Sequence, residues 1–213
     1  MSTLKVDTIN EKSTNGNIAV IPTGNGTLVL DGLTWPNADG SANQLLKSNG
    51  SGVLSFVDAP SSGFTQGTEQ ATTSGTSVTF GSIPAGVDMI VINFVSVSIN
   101  STADLLIQIG DAGGIETGSY LSTRLTFDGG TVGANSTSGF LLGSTQEGAI
   151  ISGSMSLMLE DAAAYHWVES HVIKFNTAQM SIGAGDKALS AELTQLKISG
   201  GTFDAGAINI MYQ

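Results

Sequence analysis

Ala149-Ile-Ile-Ser-Gly-Ser-Met-Ser-Leu-Met-Leu-Glu160 is the stretch that decides the fold. Met155, Leu157 and Leu159 stand at every second position, so one set of side chains can enter a core while the other faces outward. Leu196 and Ile198 repeat the pattern. No helical stripe competes, and 188–195 admits one or two turns at most. Working outward, strand-length segments fall at 77–80, 88–99, 105–109, 121–127, 139–142, 149–160, 167–176, 180–182, 192–198 and 207–212. Turn residues recur between them at roughly 8–12-residue spacing, the mark of a sandwich or barrel. The fold predicted is all-β: an antiparallel β-sandwich of jelly-roll type over residues 64–213.

Composition agrees. The 213 residues are 40% hydrophobic, enough for a real core, but only 12% charged. That is about half the usual share, and 28 glycines with abundant Ser, Thr and Asn take up the difference, as in a turn-rich β chain. A net charge of −11 with seven Lys and Arg argues against nucleic acid, whose phosphates need clustered cations. Without cysteine there is no disulfide and no thiolate metal site. Met1 to Asn10 lacks the basic and apolar regions of a signal peptide, and the longest apolar stretch, 89–97, is too short to span a bilayer. No membrane insertion is expected.

The first sixty residues read differently. Gly16 to Asp31 holds two apolar pulses, Ile18-Ala-Val-Ile21 and Leu28-Val-Leu30, around Pro22-Thr-Gly-Asn-Gly26. Each is strand length, and neither can bury its apolar face alone. Identical chains are the economical partner. In Leu33-Thr-Trp-Pro-Asn-Ala-Asp-Gly-Ser-Ala-Asn-Gln-Leu-Leu-Lys47, the segment 42–47 is the best candidate for a short helix or turn, and 53–57 reads as a strand. A linker at 58–63 sets the boundary between a segment 1–60 and the head 64–213. Leu4, Val6 and Ile9 form a short half-apolar strand with no turn to fold it back, so a sheet edge of another protein is its expected partner.

Three stretches resemble bacteriophage fibre proteins: Thr202-Phe-Asp-Ala-Gly-Ala-Ile-Asn-Ile-Met-Tyr-Gln213, Leu105-Leu-Ile-Gln-Ile-Gly-Asp-Ala-Gly-Gly-Ile-Glu-Thr-Gly-Ser-Tyr120, and the opening Met1-Ser-Thr-Leu-Lys-Val-Asp-Thr-Ile9. The LTWP connector at 33–36 is similar to one repeated across such fibres. The resemblance implies a virion structural protein with a short extended N-terminal anchor, a trimeric neck and a β-sandwich head. It implies a homotrimeric tail fibre, made in the bacterial cytoplasm, docked through Leu4, Val6 and Ile9 to a tail or capsid protein. The head would bind a host-surface polysaccharide or protein. A capsid decoration or head fibre built from the same parts is the alternative, and a polysaccharide-cleaving spike is a third reading.

Sites with chemistry are few. Asp111 and Glu116, five apart around paired glycines, fit either a hard-cation site or a hairpin whose Asp caps backbone amides. Tyr165-His166-Trp167 is the dense aromatic cluster: exposed, it would be a platform for host sugar, while the alternative buries Tyr165 and Trp167 on one face with His166 on the other. Trp35-Pro36 fits either a virion-partner motif or the plug of a three-fold core. His166 and His171 are the two histidines, and no G-x-S-x-G elbow surrounds a serine, so nucleophilic catalysis has little to stand on. A glycosidase needs two carboxylates across a cleft, which 18 acids could supply only through folding. No enzyme activity, cofactor or metal is expected.

Overall fold

The structure, a computed structural model, describes residues 28–59, 63–127, 129–143, 147–175 and 178–213. Leu4, Val6, Ile9 and the pulse at 18–21 lie outside the described residues. The chain divides into two compact units, Met1–Ser62 and Gly63–Gln213. Among the described residues no helix occurs and every strand pairing is antiparallel, apart from one isolated parallel bridge between Thr34 and Val53.

The first unit is two hairpins: β1 (Val29–Leu30) with β2 (Leu33–Thr34), and β3 (Gln44–Ser48) with β4 (Leu54–Asp58). Of the segment 42–47, expected as a short helix or turn, 42–43 form a turn and 44–47 belong to a strand. Its reason is the turn beyond it: Gly50 and Gly52 adopt φ 75° and 83°, which glycine takes without cost, and they bring 54–58 back along 44–48. Leu45 and Leu46 are both exposed, so no helical face organises the segment. None of the described residues of this unit is buried.

The second unit is a sandwich of two antiparallel sheets. Its strands are β5 (Thr65–Gln66), β6 (Gln70–Ala71), β7 (Ser77–Phe80), β8 (Met89–Asn100), β9 (Leu106–Asp111), β10 (Gly114–Ile115), β11 (Leu121–Phe127), β12 (Thr131–Ser136), β13 (Phe140–Leu141), β14 (Ile151–Asp161), β15 (His166–Phe175), β16 (Gln179–Ala188), β17 (Gln195–Ser199) and β18 (Thr202–Tyr212). The small sheet runs β10-β9-β17-β7, with β13 on β9. The large sheet runs β12-β11-β16-β15-β14-β8-β18-β5, with β6 on β18, and is curled into a half-barrel. Alternate residues fill the space between: Ile90, Ile92, Phe94, Leu157 and Ile208 from the large sheet meet Ile107, Ile109, Leu196 and Ile198 from the small one. Each such side chain contributes about 1.5–3 kcal/mol by leaving water.

Irregularities have local causes. The β8–β18 register shifts at 203–207, where Ser96 takes φ 52° and its carbonyl oxygen lies 2.3 Å from where a Cβ at Gly206 would stand. Glycine alone lets the bulged strands approach so closely. The segment 189–194 forms no helical turn; it crosses from the large sheet to the small one.

Candidate functional site

The chain enters the second unit at β5, which pairs with Met211 and Tyr212. Following the register across the large sheet, the same end holds Met89, Met158, Val168, Asp186 and Leu121. Tyr165, His166 and Trp167 lie at this end as well. Trp167 is 2% exposed and sits in the core, with Tyr165 packed against that core after a turn in which Tyr165 adopts φ 49°. An exposed aromatic platform is therefore not what these two residues form, because the inward face of β15 at this point closes the sandwich. His166 faces outward between two carboxylates, Nε2 at 3.1 Å from Asp186 Oδ2 and Nδ1 at 3.1 Å from Glu160 Oε2. The bond to Asp186, then that to Glu160, holds the imidazole above its ordinary value.

Asp111 and Glu116 come together, and every oxygen of theirs is engaged within the chain. Asp111 accepts from Gly113 N at 2.7 Å and Ser190 Oγ at 2.6 Å. Glu116 accepts from Ser190 N at 2.7 Å and pairs with Lys187 Nζ at 2.5 Å. Ser190 and Gly113 hold the Asp111 carboxyl below its ordinary value. For Glu116 burial pushes upward, but Lys187 and Ser190 outweigh it and the net shift is downward. Lys187 also lies 5.5 Å over the ring of Tyr120, whose hydroxyl burial pushes up to about 12. The cluster is a clasp that ties the β9–β10 hairpin to the crossing at 189–194. This is the hairpin alternative, with the carboxylates spent on chain donors rather than turned outward to a cation. Among the described residues no group of three or more acids and histidines could hold a metal ion.

The interior itself is divided. Towards β8 and β18 it is apolar; across β11, β16 and β15 it carries Ser122, Arg124, Thr126, Ser181, Glu169 and His171, all buried. Glu169 Oε1 lies 2.5 Å from His171 Nδ1, both side chains wholly shielded. Arg124, the chain's single arginine, holds Asp104 through Nη2 at 2.9 Å to each carboxylate oxygen, and Thr126 Oγ1 at 2.9 Å and Val132 O at 3.2 Å through Nη1. Five buried polar atoms lack a partner among the described residues: Arg124 Nε, Trp167 Nε1, Glu169 Oε2, His171 Nε2 and Ser181 Oγ, all on these three strands. The partners of the two histidines are carboxylates: Asp186 and Glu160 for His166, and Glu169 for His171.

Asp104 matters for its place. It closes the connection between β8 and β9, at the end of the sandwich opposite the one where the chain enters. The turn between β17 and β18 packs on it so tightly that a Cβ at Gly200 would stand 2.4 Å from Asp104 O. Two turns at the far end are thus pinned to the sheet through one guanidinium. Sequence reasoning missed this pair; the signal available was a lone arginine inside an alternating strand.

On the outer surface, a groove of about 680 Å³ runs between β12, β11, β16 and β15. Its lining includes apolar Leu121, Val168 and Ala184 and polar Thr123, Asn135 and Asp186. That volume lies within the range of about 300–1,000 Å³ usual for ligand sites. Trp35 of the first unit is 36% exposed, and its backbone N donates to Leu28 O at 2.8 Å. Compared with known proteins, the chain matches no family model, and no curated protein or solved structure shows significant similarity to it.

Proposed function

We propose that this chain is a bacteriophage virion structural protein, a homotrimeric fibre whose head adheres to the host cell surface without chemistry. The observation that carries the reading is the contrast between the two units. Residues 28–59 bury nothing and leave Val29, Leu30, Leu45, Leu46 and Val53 exposed, whereas the second unit has a continuous core of its own. Two-stranded hairpins are marginal in water alone, so this segment calls for other chains to cover it. A self-sufficient β head on an extension that needs partners is what a fibre requires, and trimerisation turns weak head contacts into avidity. The fibre resemblance of the sequence adds tail attachment and a host receptor.

The head's receptor-facing part is then the end away from residue 63, where Asp104 and the Gly200 turn are braced by Arg124. Rigidly held turns on a sheet scaffold are suited to recognition. Light scattering on the full chain should return a trimer, and fluorescently labelled protein should bind host bacteria saturably. A monomer at micromolar concentration would remove the fibre reading. A trimer that ignores the host would leave a decoration role.

A further inference from the structure

We infer that the outer face of the large sheet, over β11, β16 and β15, is a contact surface between copies of this chain. The inference deepens the homotrimer proposed above and rests on it.

An antiparallel sheet with one solvated face normally alternates apolar inward and polar outward. In the small sheet β7 and β17 obey: Ser77, Thr79, Lys197 and Ser199 stand outside Val78, Phe80, Leu196 and Ile198, with half-buried Leu106 of β9 the apolar exception beside Ser199. The large sheet does not. Its outward positions include Leu121 at 64% exposure, Val172 at 57%, Met158, Met180, Leu125 and Phe127. Register groups them in rows: Leu125 lies opposite Ile182, which lies opposite Val172, with Phe127 opposite Met180 in the next row, while Leu121 and Met158 share the row of Asp186 and Val168 on the other side of Thr123, Ala184, Ser170 and Ser156. One molecule therefore patterns its two outer surfaces differently, and the difference is not a general shortage of polar residues.

Charge identifies the occupant. The chain carries a net −11, yet the outward positions of these three strands hold two charged residues: Asp186 on β16, opposite Val168, and Lys174 on β15, opposite Met180. His166, beside Asp186, is the titratable group at that end, with Glu160 on its other side. A surface meant for a cationic partner would display the acid that the chain has in excess, since complementary charge steers and selects partners. Two equally acidic copies need the reverse, a face from which charge has been removed, and interface centres are charge-depleted and rich in Met and aromatic residues. The groove beside Leu121 gives a protruding side chain of the neighbouring copy a place to enter.

The chain has no cysteine, so a single introduced thiol reports on one position. Ser170 is exposed at the centre of the face, between Ser156 and Ala184; Thr79 is exposed on the small sheet. In the full chain, Ser170→Cys should react with a maleimide more slowly than Thr79→Cys by about tenfold or more, because a second copy seated on this face would shield it. Val172→Asp with Leu125→Asp should lower the mass seen in sedimentation while circular dichroism keeps its β signal. Equal labelling rates in a chain that sediments as an oligomer would overturn this face and leave the fibre reading intact. A chain that sediments as a monomer would overturn both. Should the double variant fail to fold, the labelling comparison still decides.

Discussion

Replacing Asp104 by alanine isolates the brace at the far end of the sandwich. Arg124 is 3% exposed in its side chain and stays where it is, held by β11, so its charge loses its counterion without gaining water. Removing one partner of a buried pair costs about 3–5 kcal/mol. Two facts place the expectation at the lower end. The Asp104 side chain is 19% exposed, so solvent can approach Nη2, and Nη1 keeps Thr126 and Val132. About 3 kcal/mol in a unit of this size lowers the melting temperature by roughly 6–12 °C. Urea unfolding followed by circular dichroism should show the same loss in its midpoint with an unchanged slope. Arg124→Met combined with Asp104→Leu removes the charge and the desolvation together and should recover most of the loss. Amide exchange at 101–105 should quicken in Asp104→Ala well before the sheet does. A melting shift of less than about 2 °C for Asp104→Ala, or a double variant less stable than the single one, would refute the view that a shielded charge is being balanced here.

Gly183→Ala should destabilise by about 3 kcal/mol, against the usual gain of alanine over glycine in a strand, because its Cβ would stand 2.2 Å from His171 Cε1 and 2.7 Å from Thr123 O; Gly133→Ala, with 3.3 Å to Leu125 Cδ2, should be near neutral in the same melts. Deleting residues 209–213 removes Ile210, 3% exposed, and the pairing of Tyr212 with Ile90, so unfolding should ease by about 4 kcal/mol or more. His166, with its folded value raised, favours the fold fully below about pH 6.5 and loses that contribution as pH climbs through the raised value; an NMR titration should place its midpoint above the free-histidine value, and Asp186→Asn should bring it down.

The strands were legible wherever a sheet buries alternate large side chains. The segment 77–80 coincides with β7, where Val78 and Phe80 fill the inward places; 121–127 coincides with β11, but there the legible alternation of Leu121, Leu125 and Phe127 faces outward while Ser122, Arg124 and Thr126 point in. β12 carries Thr131-Val-Gly-Ala-Asn-Ser136, has no such pattern, and is held by main-chain bonds to β11 at the sheet edge. β16 was legible only at 180–182. Gly183-Ala-Gly-Asp reads as a turn, yet those glycines are places where the rings of His171 and Phe140 occupy the space of a Cβ. Glycine marks a turn when the backbone needs positive φ and marks a strand when a neighbour needs the room; composition alone does not separate the two.

The site was harder to read for a related reason. Period-two alternation says which residues share a face but not which face a second layer covers. In β15, Trp167, Glu169 and His171 share the inward face, so the aromatic residue that would suit a sugar is in the core and a carboxylate–imidazole pair is sealed beside it. Across the same strand Val168 and Val172 look outward, where a lone sheet would place polar residues. Both faces of β15 thus carry apolar side chains, as expected of a strand covered on both sides. Among the described residues of the second unit the small sheet covers the inner face. The cover proposed for the outer face is a second copy, and the chemistry of the face favours it: nearly uncharged in a protein of net charge −11, the face suits an equally acidic neighbour better than a partner that would use the chain's acidity.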